Sequence, residues 1–129
     1  MTLQGDATFA FDRGDIAALL PEGRAKLDRS IRDMRQAGDV TAILVEGYTD
    51  RLGSGAHNAR LSALRAETVK HYLAAGGIEA PISARGMGAA NPLARCDESN
   101  RQQLIRCLAP DRRVELNITR GAVTAVPVR

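Results

Sequence analysis

The stretch that most constrains this chain is an unbroken apolar run followed closely by a long helical period. Ala42-Ile43-Leu44-Val45 lies within a strand expected over Thr41–Thr49, and Asp50 ends it. A strand without alternation is covered on both faces or mostly buried. The Gly/Ser turn Arg51–Gly55 leads into a helix expected over Ala56–Ala75, closed by Gly76-Gly77, and a short strand follows at Ile82–Arg85. Helices must therefore pack on the sheet that holds these strands.

The remaining segments extend the pattern. Thr8–Phe11 alternates and predicts a first strand with Phe9 and Phe11 on one face. Asp12–Leu20 is a connection. Pro21 suits the first turn of a helix, Leu27, Ile31 and Met34 follow at helical spacing, and Gly38 is its stop. After the Gly/Pro loop Gly86–Arg95, Asn100–Leu108 reads as a helix stopped by Pro110. Val114–Thr119 alternates cleanly, as a strand with one wet face does. The order β-α-β-α-β-α-β predicts an α/β fold, or α+β sandwich, with helices on a mixed four-stranded sheet. One domain is expected over 8–120, with a flexible lead at 1–7 and a flexible tail at 121–129.

Composition excludes some functions. The 129 residues are 44% hydrophobic, enough for one core, and only 3% aromatic with no Trp. That argues against a base-stacking surface, and the 15 acids interspersed among the basic residues argue against nucleic acid as a partner. All but Lys26 and Lys70 of the 18 basic residues are arginine, the residue that grips carboxylates as a rigid fork. The net charge of +3 favours acidic partners without naming one. No apolar run approaches the roughly 18 residues of a membrane span. Residues 1–8 lack the pattern of a secretion signal, so the expectation is a cytoplasmic chain or a domain cut from a larger exported protein. Cys96 and Cys107 fit either a disulfide or two buried thiols.

The chemistry concentrates around the long helix. Leu61, Leu64, Val69, Tyr72 and Leu73 form its apolar stripe, and Arg65 projects into the middle of it. An unpaired guanidinium there is costly, so Arg65 must meet an anion or reach water. Asp50, at the end of the preceding strand, is placed near the start of the helix. One reading is a structural Asp50–Arg65 salt bridge. The other is a small pocket with an anionic and a cationic wall, suited to a zwitterion whose ammonium meets Asp50 and whose carboxylate meets Arg65. Asn58 either caps the early helix or bonds a ligand, and Thr49 either donates its hydroxyl to a ligand or is ordinary strand material. Of Arg112 and Arg113, entering the last strand, one is expected inward and the other toward solvent.

Gly47-Tyr48-Thr49-Asp50, Gly53-Ser54 and Asn58-x-x-Leu61-Ser62-x-x-Arg65-Ala66-x-x-Val69 together resemble the signature of OmpA-like (OmpA/MotB C-terminal) peptidoglycan-binding domains. The resemblance continues through Ile82–Gly88, Asn91-Pro92 and Cys107–Glu115, and covers roughly residues 8–120. It implies non-covalent binding of peptidoglycan through meso-diaminopimelate of the stem peptide. Asp50 and Arg65 would grip that residue's amino and carboxylate groups, with Thr49, Asn58 and Arg112 lining the site. It further implies a Cys96–Cys107 disulfide and no cofactor or metal. The setting it implies is the periplasm of a Gram-negative bacterium, as part of a membrane-anchored outer-membrane protein, with a homodimer possible. His57 departs from the family pattern, standing where a Tyr or another large residue is common, and the Asp12–Leu20 loop is about one residue longer.

Two rival readings are set against this one. Asp50, Ser54 and His57 invite a hydrolytic triad, but no oxyanion-hole signature accompanies them, and the histidines and cysteines lack zinc spacing, so no enzyme is expected. A protein-interaction or dimerisation module without wall binding is the alternative, with Asp50–Arg65 purely structural.

Overall fold

Strands β1 (Thr2–Gln4), β2 (Val40–Tyr48), β3 (Ile82–Gly86) and β4 (Arg113–Arg120) form one mixed sheet in the order β1-β4-β2-β3. The structure is a computed structural model and describes residues 1–121. The β2–β3 pair is parallel, whereas β4 runs antiparallel to β1 and β2. A single turn α1 (Gly5–Thr8), α2 (Pro21–Ala37), α3 (Gly55–Ala75) and α4 (Arg101–Cys107) complete the expected alternation of strands and helices. Of the expected tail, residues 122–129 lie outside the described residues.

Helix α2 forms where its end signals place it. Pro21 occupies the first turn, and Gly38 caps the other end at φ 70°, donating its N–H to the Met34 carbonyl. That left-handed conformation carries little strain only for glycine. Leu27, Ile31 and Met34 turn inward and join Val69 and Leu73 of α3 and Ile43, Val45, Val114 and Leu116 of the sheet in one core. Truncating any one of the larger members to Ala is worth about 2–5 kcal/mol.

Two glycines set how closely α3 approaches the sheet. Gly47 of β2 and Gly86 of β3 are register partners. A Cβ on Gly47 would collide with the Ser62 carbonyl oxygen, and one on Gly86 with the Ala63 backbone nitrogen. The helix therefore rests almost on bare backbone beside the C-terminal end of β2. Gly47→Ala is expected to cost about 2 kcal/mol, read as a fall in melting temperature of roughly 8 °C. An unchanged melting temperature would show that α3 can shift outward without loss.

This close approach also corrects the expected apolar stripe. The buried face is Asn58, Ser62, Arg65, Ala66, Thr68, Val69 and Leu73, whereas Leu64 is 47% exposed. Only small or slender polar groups fit over the glycine pair, so the first half of the helix turns these inward and the bulky leucine outward.

The first strand is a second correction. Thr2–Gln4 pair with Arg113–Glu115, so the expected lead contributes the edge strand of the sheet. Thr8–Phe11 contributes only a bridge between Phe9 and Leu19. Phe9 is buried, but Phe11, beyond the bridge where the chain turns at Asp12, is 95% exposed.

The sheet face opposite the core is polar. Arg85 pairs with Glu46, and Asn117 donates to the same carboxylate. Arg113 is buried there over the Tyr48 ring, 3.9 Å from its centroid, and pairs with Glu115. Arg112, half-turned from β4 by the preceding 3-10 turn Ala109–Asp111, is also largely covered. Neither arginine takes the expected solvent position, because each has carboxylates and carbonyls to satisfy its fork. Cys96 and Cys107 are joined in a disulfide with a Cα separation of 5.9 Å, which ties α4 to the segment before it.

Candidate functional site

At the C-terminal end of β2 the chain leaves the sheet, and a cavity of about 370 Å3 opens between that end, the first turns of α3, α4 and the Asp12 loop. Small-molecule sites typically span roughly 300–1,000 Å3. Thr49, Asp50, Asn58, Arg65 and Arg112 all line it. Residues far apart in sequence are thus brought together by three features: the strand end, the helix laid on its glycines, and the return of the chain into β4.

Asp50 is held by both carboxylate oxygens. Oδ1 accepts the Leu52 N–H at 2.9 Å, which shapes the turn after β2, and Oδ2 accepts from Arg112 Nη1 at 2.8 Å. Arg112 also forks onto Asp6, donating from Nε at 3.0 Å and Nη2 at 2.8 Å, and bonds the Ile105 carbonyl of α4. Two carboxylates therefore share one guanidinium, and this end of the cavity keeps an excess of negative charge. The hydrogen bonds that Arg112 donates to Asp6 foremost, and the one it donates to Asp50, raise its pKa above its ordinary value against the opposing pull of burial.

Asp6 was not foreseen as a site residue. It lies in the segment read as a lead, and only the pairing of β1 with β4 carries it to the cavity. Its hydrogen bond with Arg112 holds its carboxyl below the ordinary carboxylate range, against the upward pull of burial. A carboxyl with a lowered folded-state pKa adds stability above its unfolded value, roughly 4, and loses it as pH falls through the folded value. The difference in melting temperature between the native chain and Asp6→Asn is therefore expected at pH 7, should begin to shrink as pH falls below about 4, and should vanish once pH is below the folded value. A difference that persists to pH 2 would assign it to something other than the ion pair.

Arg65 has a different environment. Its Nε donates to the Arg13 carbonyl at 2.7 Å, and its guanidinium lies over the Phe9 ring, 5.2 Å from the centroid. Thr68 donates to the Gly14 carbonyl, so α3 holds the Asp12 loop at two points. No carboxylate lies within ion-pair distance of Arg65 among the described residues. Burial lowers its pKa, partly offset by the more distant charges of Asp6 and Asp12. A guanidinium remains protonated regardless, so a buried cation is left without an anion of its own. The structural Asp50–Arg65 salt bridge considered from sequence is absent: Asp50 pairs with Arg112 instead.

The other expected residues take distinct parts. Thr49 is 6% exposed, and its Oγ1 is buried with no hydrogen-bond partner. Asn58 lines the cavity but points its Nδ2 at the carbonyls of Asp50 and Leu52, pinning the turn that carries Asp50. The helix cap is Ser54, whose Oγ accepts the His57 N–H. The His57 ring donates from Nε2 to Asp12 Oδ1 at 2.7 Å, across the cavity mouth. Asp50, Ser54 and His57 thus form no hydrogen-bonded chain of a hydrolytic kind.

Residues 8–106 match the model of the OmpA family. The chain belongs to the OmpA family. Outer membrane protein P5 of Haemophilus influenzae is 46% identical over 121 residues, covering 91% of this chain and 33% of that protein. Outer membrane protein A of Escherichia fergusonii is 46% identical over 122 residues, covering 91% of this chain and 49% of that protein. The chain thus spans about a third to a half of the length of these curated relatives. Within the family, the two cysteines and the run Cys107–Arg113 resemble outer membrane protein A, in keeping with these matches. Among solved structures, a MotB-like protein of Desulfovibrio vulgaris superposes with a TM-score of 0.74 at 25% identity, covering 94% of this chain and 72% of that one. The peptidoglycan-associated lipoprotein of Burkholderia pseudomallei shares the fold, with a TM-score of 0.66 at 23% identity, covering 86% of this chain and 85% of that one. No helix among the described residues is long and apolar enough to cross a membrane.

Proposed function

We propose that this OmpA family domain binds peptidoglycan non-covalently through meso-diaminopimelate of the stem peptide, and that it tethers an outer-membrane protein to the wall from the periplasm. The observation that carries the reading is the separation of charge in one cavity. Asp50 and Asp6 share a single cation, while Arg65 is buried without an anion. A ligand with an ammonium and a carboxylate on one carbon complements both ends at once. The ammonium adds a second cation for Asp50, and the carboxylate takes the remaining donors of Arg65 as a charge-assisted pair. The orphaned Thr49 hydroxyl supports the same reading, since a buried polar atom without a partner is costly unless a ligand satisfies it.

Asn58 and Arg112 act here as positioning residues. Asn58 fixes the turn behind Asp50, and Arg112 orients the Asp50 carboxylate. Affinity for one stem peptide is modest, because water competes for every polar contact. A polymeric wall facing many copies makes the attachment firm through avidity.

The test is co-sedimentation with purified sacculi containing diaminopimelate, with free meso-diaminopimelate as competitor. The expected result is pelleting of the domain and its release by the competitor. A domain that stays in the supernatant would favour an interaction or dimerisation module, and release of sugar or peptide fragments would make it a hydrolase.

A further inference from the structure

The cavity is wider than the zwitterionic end of one amino acid requires, and α4 supplies its far wall through Arg101 and Ile105. Helix α4 is held in place twice, by the Cys96–Cys107 disulfide and by the hydrogen bond from Arg112 to the Ile105 carbonyl. The Arg101 side chain at the cavity wall has no hydrogen-bond or ion-pair partner among the described residues. Charge pairing across the lining is then uneven in a definite way. Asp6 and Asp50 share Arg112, and Asp12 is engaged by His57. Two guanidiniums, Arg65 and Arg101, remain without carboxylates. The complementary ligand therefore carries one ammonium and two carboxylates.

We propose that Arg101 receives a second ligand carboxylate, so that the site selects a peptide bearing a further free acid within a residue of its zwitterionic end. The inference rests on the diaminopimelate reading above. Diaminopimelate's zwitterionic end supplies the ammonium and the carboxylate for Asp50 and Arg65. In a stem tetrapeptide, where the other carboxyl of diaminopimelate is taken up in the peptide bond to alanine, the second acid has two sources: the α-carboxylate of the γ-linked glutamate before diaminopimelate, or the terminal carboxylate of the alanine after it. The shared chemistry is a carboxylate that amidation removes. Arg101 is exposed, so its pair contributes a modest increment that salt screens.

The experiment is calorimetric titration of the oxidised domain with five probes. These are free meso-diaminopimelate, γ-glutamyl-diaminopimelate with the carboxyl of its linked end blocked as the amide, diaminopimelyl-alanine, and the last two with the glutamate α-carboxylate or the alanine carboxylate amidated as well. The expected result is that at least one acidic dipeptide binds about fivefold more tightly than its amide at low salt. The source is the dipeptide that shows the gain. In Arg101→Gln that ratio falls to near one, and in Arg101→Lys it is partly kept. Acid and amide forms that bind equally while free diaminopimelate still binds would overturn the role of Arg101 and leave the main reading standing. A ratio unchanged in Arg101→Gln would likewise overturn it. No binding of free diaminopimelate or of either dipeptide would overturn both.

Discussion

Asp50→Asn is expected to reduce sacculus binding by about 100-fold or more while the domain remains folded. The substitution keeps the shape of the side chain and the acceptor for the Leu52 N–H. It removes the charge that meets the ligand ammonium and leaves Arg112 with Asp6 alone. The stability loss is small by comparison, because Arg112 keeps both bonds to Asp6 and its bond to the Ile105 carbonyl. Co-sedimentation and thermal unfolding on the same sample separate the two effects. Binding at native strength would rule Asp50 out as the ammonium partner.

The second large effect is expected at Arg65. Arg65→Lys retains a positive charge but not the planar fork, and one ammonium cannot reach both the Arg13 carbonyl and a ligand carboxylate as the guanidinium can. Binding should drop about tenfold or more, measured by titration with meso-diaminopimelate. The ligand-side version of this experiment replaces diaminopimelate with lysine, which lacks the extra carboxylate. Lysine-type peptidoglycan should bind the native domain more weakly, and the gap between the two walls should narrow in Arg65→Lys. Equal binding of both walls by the native chain would show that Arg65 does not read that carboxylate.

How far the sequence is legible depends on how local each signal is. Helix α2 is readable to the residue at its ends because Pro21 and Gly38 act through their own backbone preferences. The alternation of Val114–Thr119 marks β4 because one face is apolar and the other wet. Strand β1 left no such mark. Three residues are too few to show a period, and Thr2–Gln4 are extended only because β4 offers its edge. That loss hid Asp6, and with it the reason Asp50 does not turn to Arg65. The face of α3 was misjudged for a related cause. A helical wheel ranks residues by hydrophobicity, but the glycine pair on the sheet selects for small size, so Ser62 faces inward and Leu64 outward. Arg113 illustrates the same limit. Alternation places it on the face away from the core, but the Tyr48 ring and Glu115 that bury it there belong to the tertiary structure.

The most direct test of the account is a crystal structure of the domain with meso-diaminopimelate. The account predicts the ligand ammonium on the Asp50 carboxylate and the carboxylate on the same carbon forked by Arg65, with Thr49 Oγ1 hydrogen-bonded. A ligand bound elsewhere, or bound in this cavity with neither Asp50 nor Arg65 in contact, would contradict it.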